Sequence, residues 1–123
     1  MDIRRAIPIV NSEDLDATRS FYADFLGFEV AMDETGFTMF RSPTNPTAQV
    51  IAGSSETVML GPPTPQMTVE VADVDAALEE AETRGLRVVY PIRDEPWGVR
   101  RFFVEDPDGL VVNVASHIAD AGD

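Results

Sequence analysis

The chain of 123 residues contains no cysteine, a single histidine, a single tryptophan and few basic side chains. Without cysteine, disulfides, thiolate metal sites and a cysteine nucleophile are all excluded. No stretch approaches the roughly 20 apolar residues of a membrane span, and MDIRRAIPIV at the N-terminus lacks the apolar run of a signal peptide, so a cytoplasmic location is expected. Only 9 basic residues face 22 acidic ones, a net charge of −13. That surface repels nucleic acid and anionic membranes, so neither is expected as a partner; the favoured meaning of the acidity is solubility or a salt-rich or acid-leaning setting, and the alternative is steering of a cationic ligand.

What is present is an ordinary globular composition, with 44% hydrophobic and 25% charged residues, sufficient for one folding unit with a real core. The chain also repeats itself. Asp14-Leu15-Asp16-Ala17 returns as Asp73-Val74-Asp75-Ala76, and each copy opens a helical pattern of apolar residues three and four apart. Leu15, Phe21, Phe25 and Leu26 mark the first helix, and Val74, Ala77, Leu78 and Ala81 the second. Each ends before a glycine, Gly27 or Gly85, suited to the left-handed conformation that follows a helix.

Strands are expected on both sides of each helix. Residues 6–10 and 67–71 precede the helices, the latter with Met67, Val69 and Val71 alternating against polar neighbours. Phe28-Glu29-Val30 and Leu86-Arg87-Val88 follow them, and then come residues 37–40 with 48–52, and residues 100–103 with 110–115. Asp106-Pro107-Asp108-Gly109 is a strong turn signal between the last two. Residues 57–60 are expected to close the first half with another strand. Three prolines in residues 61–65 make the linker, which divides a module of about residues 1–60 from one of about residues 66–117, followed by a tail at 118–123.

Asp14-Leu15-x-x-Thr18-x-x-Phe21-Tyr22-x-x-x-Leu26-Gly27-Phe28, Trp97-Gly98 and Phe102-Phe103-x-x-Asp106-Pro107-Asp108-Gly109 together resemble the vicinal oxygen chelate superfamily, the glyoxalase, bleomycin resistance and dioxygenase proteins. The resemblance spans nearly the whole chain. It implies an α+β fold in which two βαβββ modules form a curved mixed sheet around a cavity, often completed by a homodimer. It also implies where metal-dependent members hold their ligands: Ile7 and Gln66 at the first strand of each half, Asn113 at a late strand, and approximately Gln49 at its counterpart. An isoleucine and neutral amides supply no anionic or imidazole donor, so no metal and no cofactor are expected. His117, the only histidine, lies beyond the last strand and is expected on the surface.

The remaining candidates are binding residues. Trp97, between Pro96 and Gly98, suits an aromatic wall that stacks on a planar ligand. Gln66 and Glu70, on one face of a strand, would be polar fixtures in an apolar cup, and Phe37, Met39, Tyr90, Phe102 and Asn113 would line it. Arg100 and Arg101 must face opposite ways. The favoured reading is an exposed salt bridge, while an inward arginine would pair with Glu70 or a ligand carboxylate. Asp14, Asp16, Asp73 and Asp75 read as helix caps and first-turn acids rather than a calcium site. The expected function is metal-independent binding of a small organic molecule, cationic or aromatic, as the resemblance to bleomycin resistance proteins implies, with a part in antibiotic resistance. The alternative is a glyoxalase or dioxygenase-type enzyme with an atypical metal site in which Gln66 and Glu70 take part.

Overall fold

A computed structural model describes residues 1–54 and 57–118. Two compact units emerge: Ile7–Pro62, the first module, and Met1–Ala6 together with the chain from Pro63 onward, the second. The first six residues thus side with the second module, where the Asp2 carbonyl accepts from the Ala72 N–H at 3.0 Å and Arg5 Nε meets Glu70 at 2.7 Å.

Strand β1 (Ile3–Asn11) leads by way of the N-cap Asp14 into α1 (Leu15–Arg19), and a π-helical turn (Ser20–Phe25) continues that helix. Strands β2 (Glu29–Glu34), β3 (Phe37–Arg41) and β4 (Gln49–Gly53) complete the first module. Its sheet runs β2-β3-β4-β1, with β1 parallel to β4 and the other pairs antiparallel. Strand β5 (Met67–Val71), helix α2 (Val74–Thr83), and strands β6 (Val88–Asp94), β7 (Val99–Glu105) and β8 (Val111–His117) repeat this plan in the second. There the order is β6-β7-β8-β5, with β5 parallel to β8. Each module is therefore βαβββ with a mixed sheet.

The helix starts follow from their caps. Asp14 Oδ1 accepts from the Ala17 N–H at 3.1 Å and Asp73 Oδ1 from the Ala76 N–H at 3.0 Å, each satisfying a donor that has no partner within the helix. Asp16 and Asp75 pair instead with Arg19 and Arg100. The two helices differ by one residue, since Gly27 is the thirteenth residue after Asp14 and Gly85 the twelfth after Asp73. The π turn absorbs the extra residue, with the Leu26 N–H donating five residues back to the Phe21 carbonyl at 3.1 Å.

Residues 57–60 do not form the expected strand. Thr57 caps a single 3-10 turn (Val58–Leu60), which carries the buried Leu60 into a cluster with Ile7, Phe37 and Ile51. The cluster lies on the sheet face opposite α1, and burial of that face outweighs another edge pairing. A Cβ on Gly53 would collide with Leu60 Cδ1, so any larger residue there must displace that side chain. In the second module, Val71, Val74, Ala77, Ala81 and Phe102 form the core between α2 and its sheet.

Candidate functional site

The sheet face opposite α2 carries the most unusual chemistry of the second module. Cross-strand register sets Thr68, Asn113, Phe103 and Tyr90 in one row across β5, β8, β7 and β6, and Glu70, Ala115, Arg101 and Arg93 in the next. Side chains alternate along a strand, so Arg101 and Phe103 lie on this face, while Phe102 and Arg100 point towards α2.

Arg101 is 2% exposed, and Glu95, 6% exposed, neutralises it: Arg101 Nε donates to Glu95 Oε2 at 2.8 Å and Nη2 lies 2.7 Å from the same oxygen. The Tyr90 hydroxyl donates to that oxygen at 2.6 Å, and Arg93 Nε sits 2.9 Å from Oε1. The guanidinium also lies over three rings, 4.8 Å from the centroid of Phe103, 4.9 Å from Trp97 and 5.1 Å from Tyr90. A desolvated cation with a carboxylate and three π faces is a rigid arrangement, because every alternative leaves a buried charge without a partner. Asn113, 7% exposed, donates from Nδ2 to Thr68 Oγ1 at 3.1 Å, and its Oδ1 has no hydrogen-bond partner among the described residues.

Several expectations change here. The inward arginine is Arg101, and the exposed salt bridge expected of the pair describes only Arg100, which bonds Asp94 at 2.9 Å and Asp75 at 3.1 Å. Those hydrogen bonds, to Asp94 first and then Asp75, raise the Arg100 pKa above its ordinary value. Arg101 pairs with Glu95 rather than Glu70, because Glu95 begins the turn joining β6 to β7 and folds back over the adjoining strand. Glu70 is held by Arg5 at 2.7 Å and lies 3.4 Å from His117 Nε2. Phe102 belongs to the α2 core instead of the row with Tyr90. Phe37 and Met39 lie in the first module, where the sequence places them, and pack with Leu60 and Ile51. Gln66 is exposed and clasped to Val111, whose N–H donates to its Oε1 at 2.8 Å while the Gln66 N–H donates to the Val111 carbonyl at 2.9 Å. Trp97, Tyr90, Asn113 and Glu70 are thus brought to one face. Glu95 went unnoticed in the sequence, although an arginine within an apolar strand implied a buried acid within reach.

The family model described as the Glyoxalase/Bleomycin resistance protein/Dioxygenase superfamily matches residues 6–114. The chain belongs to this superfamily. No curated protein sequence matches it significantly. Among solved structures, one described as an NAD-dependent benzaldehyde dehydrogenase from Legionella pneumophila superposes with a TM-score of 0.72 at 15% identity, covering 91% of this chain and 98% of that one. Methylmalonyl-CoA epimerase from Mycobacterium tuberculosis gives 0.71 at 20% identity, covering 98% and 91%. An Mn(II)-bound glyoxalase from Novosphingobium aromaticivorans gives 0.66 at 23% identity, covering 95% of this chain and 39% of its own. At these identities the superpositions establish the fold alone.

The metal positions that the superfamily implies can be tested against the residues present. Ile7 has no donor atom and is 2% exposed within an apolar cluster. The donor oxygen of Gln66 is taken by a backbone N–H, and Asn113 is a neutral amide. The counterpart of Asn113 is Ile51 rather than Gln49. Asn113 pairs with Thr68 and Ile51 with Ile9, and both Thr68 and Ile9 lie five residues before their helix cap. Two isoleucines and two neutral amides do not fit a catalytic divalent ion, whose dehydration calls for anionic or imidazole donors.

Proposed function

We propose that this chain is a metal-independent binding protein, acting in the cytoplasm to sequester or carry a small planar organic molecule such as a drug or metabolite. The observation that carries this reading is the commitment of the implied metal positions to other work: apolar packing at Ile7 and Ile51, a backbone clasp at Gln66. In their place the second module offers aromatic side chains held rigid by Arg101 and Glu95, beside a buried amide oxygen with bonding capacity to spare. In this reading the ligand stacks on the face of Trp97 turned away from Arg101, and Asn113 Oδ1 accepts a hydrogen bond from it. The net charge of −13 favours cationic aromatic molecules in the approach to the protein. A homodimer, testable by light scattering, belongs to the same proposal.

The test is Trp97 fluorescence with thermal shift against a panel of cationic aromatic antibiotics and metabolites, with a chelator and with added Mg²⁺ or Mn²⁺. Saturable quenching and stabilisation in chelator are expected, weakened about tenfold by Asn113→Ala through the lost hydrogen bond. A response confined to the metal-loaded samples overturns the reading in favour of a metal-dependent enzyme.

A further inference from the structure

The two modules differ at one place in a way that leaves room for a ring. In the first, Tyr22 projects from the π turn, stacks on Phe40 with centroids 5.2 Å apart and planes at 29°, and meets Phe28 edge-on at 6.1 Å. Phe40 beneath it is 0% exposed. The repeat carries these positions into the second module. Phe28 follows Gly27 as Leu86 follows Gly85. Phe40 pairs with Val30 as Val104 pairs with Val88. Tyr22 falls on Ala81 counted from the N-cap, and on Glu80 counted back from the glycine. Tyr22 and the two rings it packs against, Phe28 and Phe40, are thereby replaced with non-aromatic side chains.

A cleft of about 570 Å³ stands at that place, lined by Ala77, Glu80, Ala81, Leu86, Val104 and Val114 among others. Its floor of Ala77, Ala81 and Phe102 is buried, whereas its outer wall is open: Leu86 is 46% exposed, and Val104 is half-buried where Phe40 is fully covered. An apolar wall left open at Leu86 and Val104 favours occupancy by an apolar body. The Arg84–Glu80 ion pair at 2.8 Å lies at the rim, offering a donor and an acceptor to a polar edge while cancelling in net charge.

We infer that this cleft is a second ligand site, on the α2 side of the sheet, that takes an uncharged planar aromatic molecule of one or two rings with a polar edge, such as a phenol or an indole. The ring occupies the place that Tyr22 fills in the first module. The inference stands apart from the proposed binding at Trp97, which lies on the opposite face of the same sheet.

The experiment is a titration of the full chain with phenol and with indole, followed by ¹³C-methyl NMR and, for Trp97, by the ¹⁵N-labelled indole N–H resonance. Saturable shifts are expected at the methyls of Leu86, Val104 and Val114 without a change at the Trp97 side chain. Ala81→Phe fills the cleft from within and should weaken the probe at least about tenfold, with the smaller Ala81→Leu serving if the phenylalanine does not fold. Shifts that never saturate, shifts at Trp97 alone, or affinity unchanged in both variants overturn the inference. So do methyl shifts that depend on protein concentration without probe, which would assign the cleft to a second copy of the chain.

Discussion

The two modules share a topology and a register, yet their open sheet faces have opposite chemistry. Position for position, Ile9 answers to Thr68, Ile51 to Asn113, Met39 to Phe103 and Phe37 to Arg101. The first face is apolar and is covered by Leu60 and Met59 from the 3-10 turn, whereas the second holds a buried ion pair braced by rings. An apolar face needs only something apolar over it, because the driving force has no direction. A buried arginine needs a particular acid at a particular angle, and that requirement makes the second face rigid and chemically specific. The duplicated backbone therefore fixes where side chains point, without fixing what they do.

The largest break in this contrast should come from Glu95→Ala, which leaves Arg101 buried without its counter-ion. A loss of about 3–5 kcal/mol in denaturant unfolding is expected, while replacing both partners with apolar residues of similar volume should recover most of it. If the single variant costs as little as a surface pair, the second face is not organised around this ion pair. In the first module, Leu60→Ala should cost about 2–4 kcal/mol by opening a cavity over Ile7, Phe37 and Ile51. Gly53→Ala should cost about 1–3 kcal/mol by crowding Leu60, and the two together should cost less than their sum. Strict additivity would mean that Leu60 does not rest on Gly53. The smallest effect tests likeness instead of difference: Asp14→Ala and Asp73→Ala should each cost about 1 kcal/mol, since both caps accept one N–H in the same geometry.

Much of the fold was legible in the chain because its signals are local. The Asp caps, the post-helix glycines and the alternation in β5 identify elements through spacing alone, and their repetition identifies two βαβββ halves. The site was less legible. Alternation required Arg100 and Arg101 to face apart, but which of them lay beneath α2 depended on the packing of that helix against β7. Residues 57–60 read equally well as a strand, because three apolar side chains near the linker do not reveal that an uncovered sheet face awaits them. Gln66 was expected inside the cup, where its backbone contact with Val111 could not be foreseen from its own neighbours in the chain.

The sequence by itself determined the duplication, the order of elements, the absence of thiol chemistry and the lack of charged donors at the implied metal positions. Those follow from residue identity and short-range stereochemistry. Only the tertiary structure decided that Glu95 holds Arg101, that Leu60 covers the first sheet, and that Phe40 lies fully covered under Tyr22 while Val104, its counterpart, stays half-buried. Each depends on strand register, helix placement or the path of a turn, which bring together groups whose mutual fit no local pattern encodes.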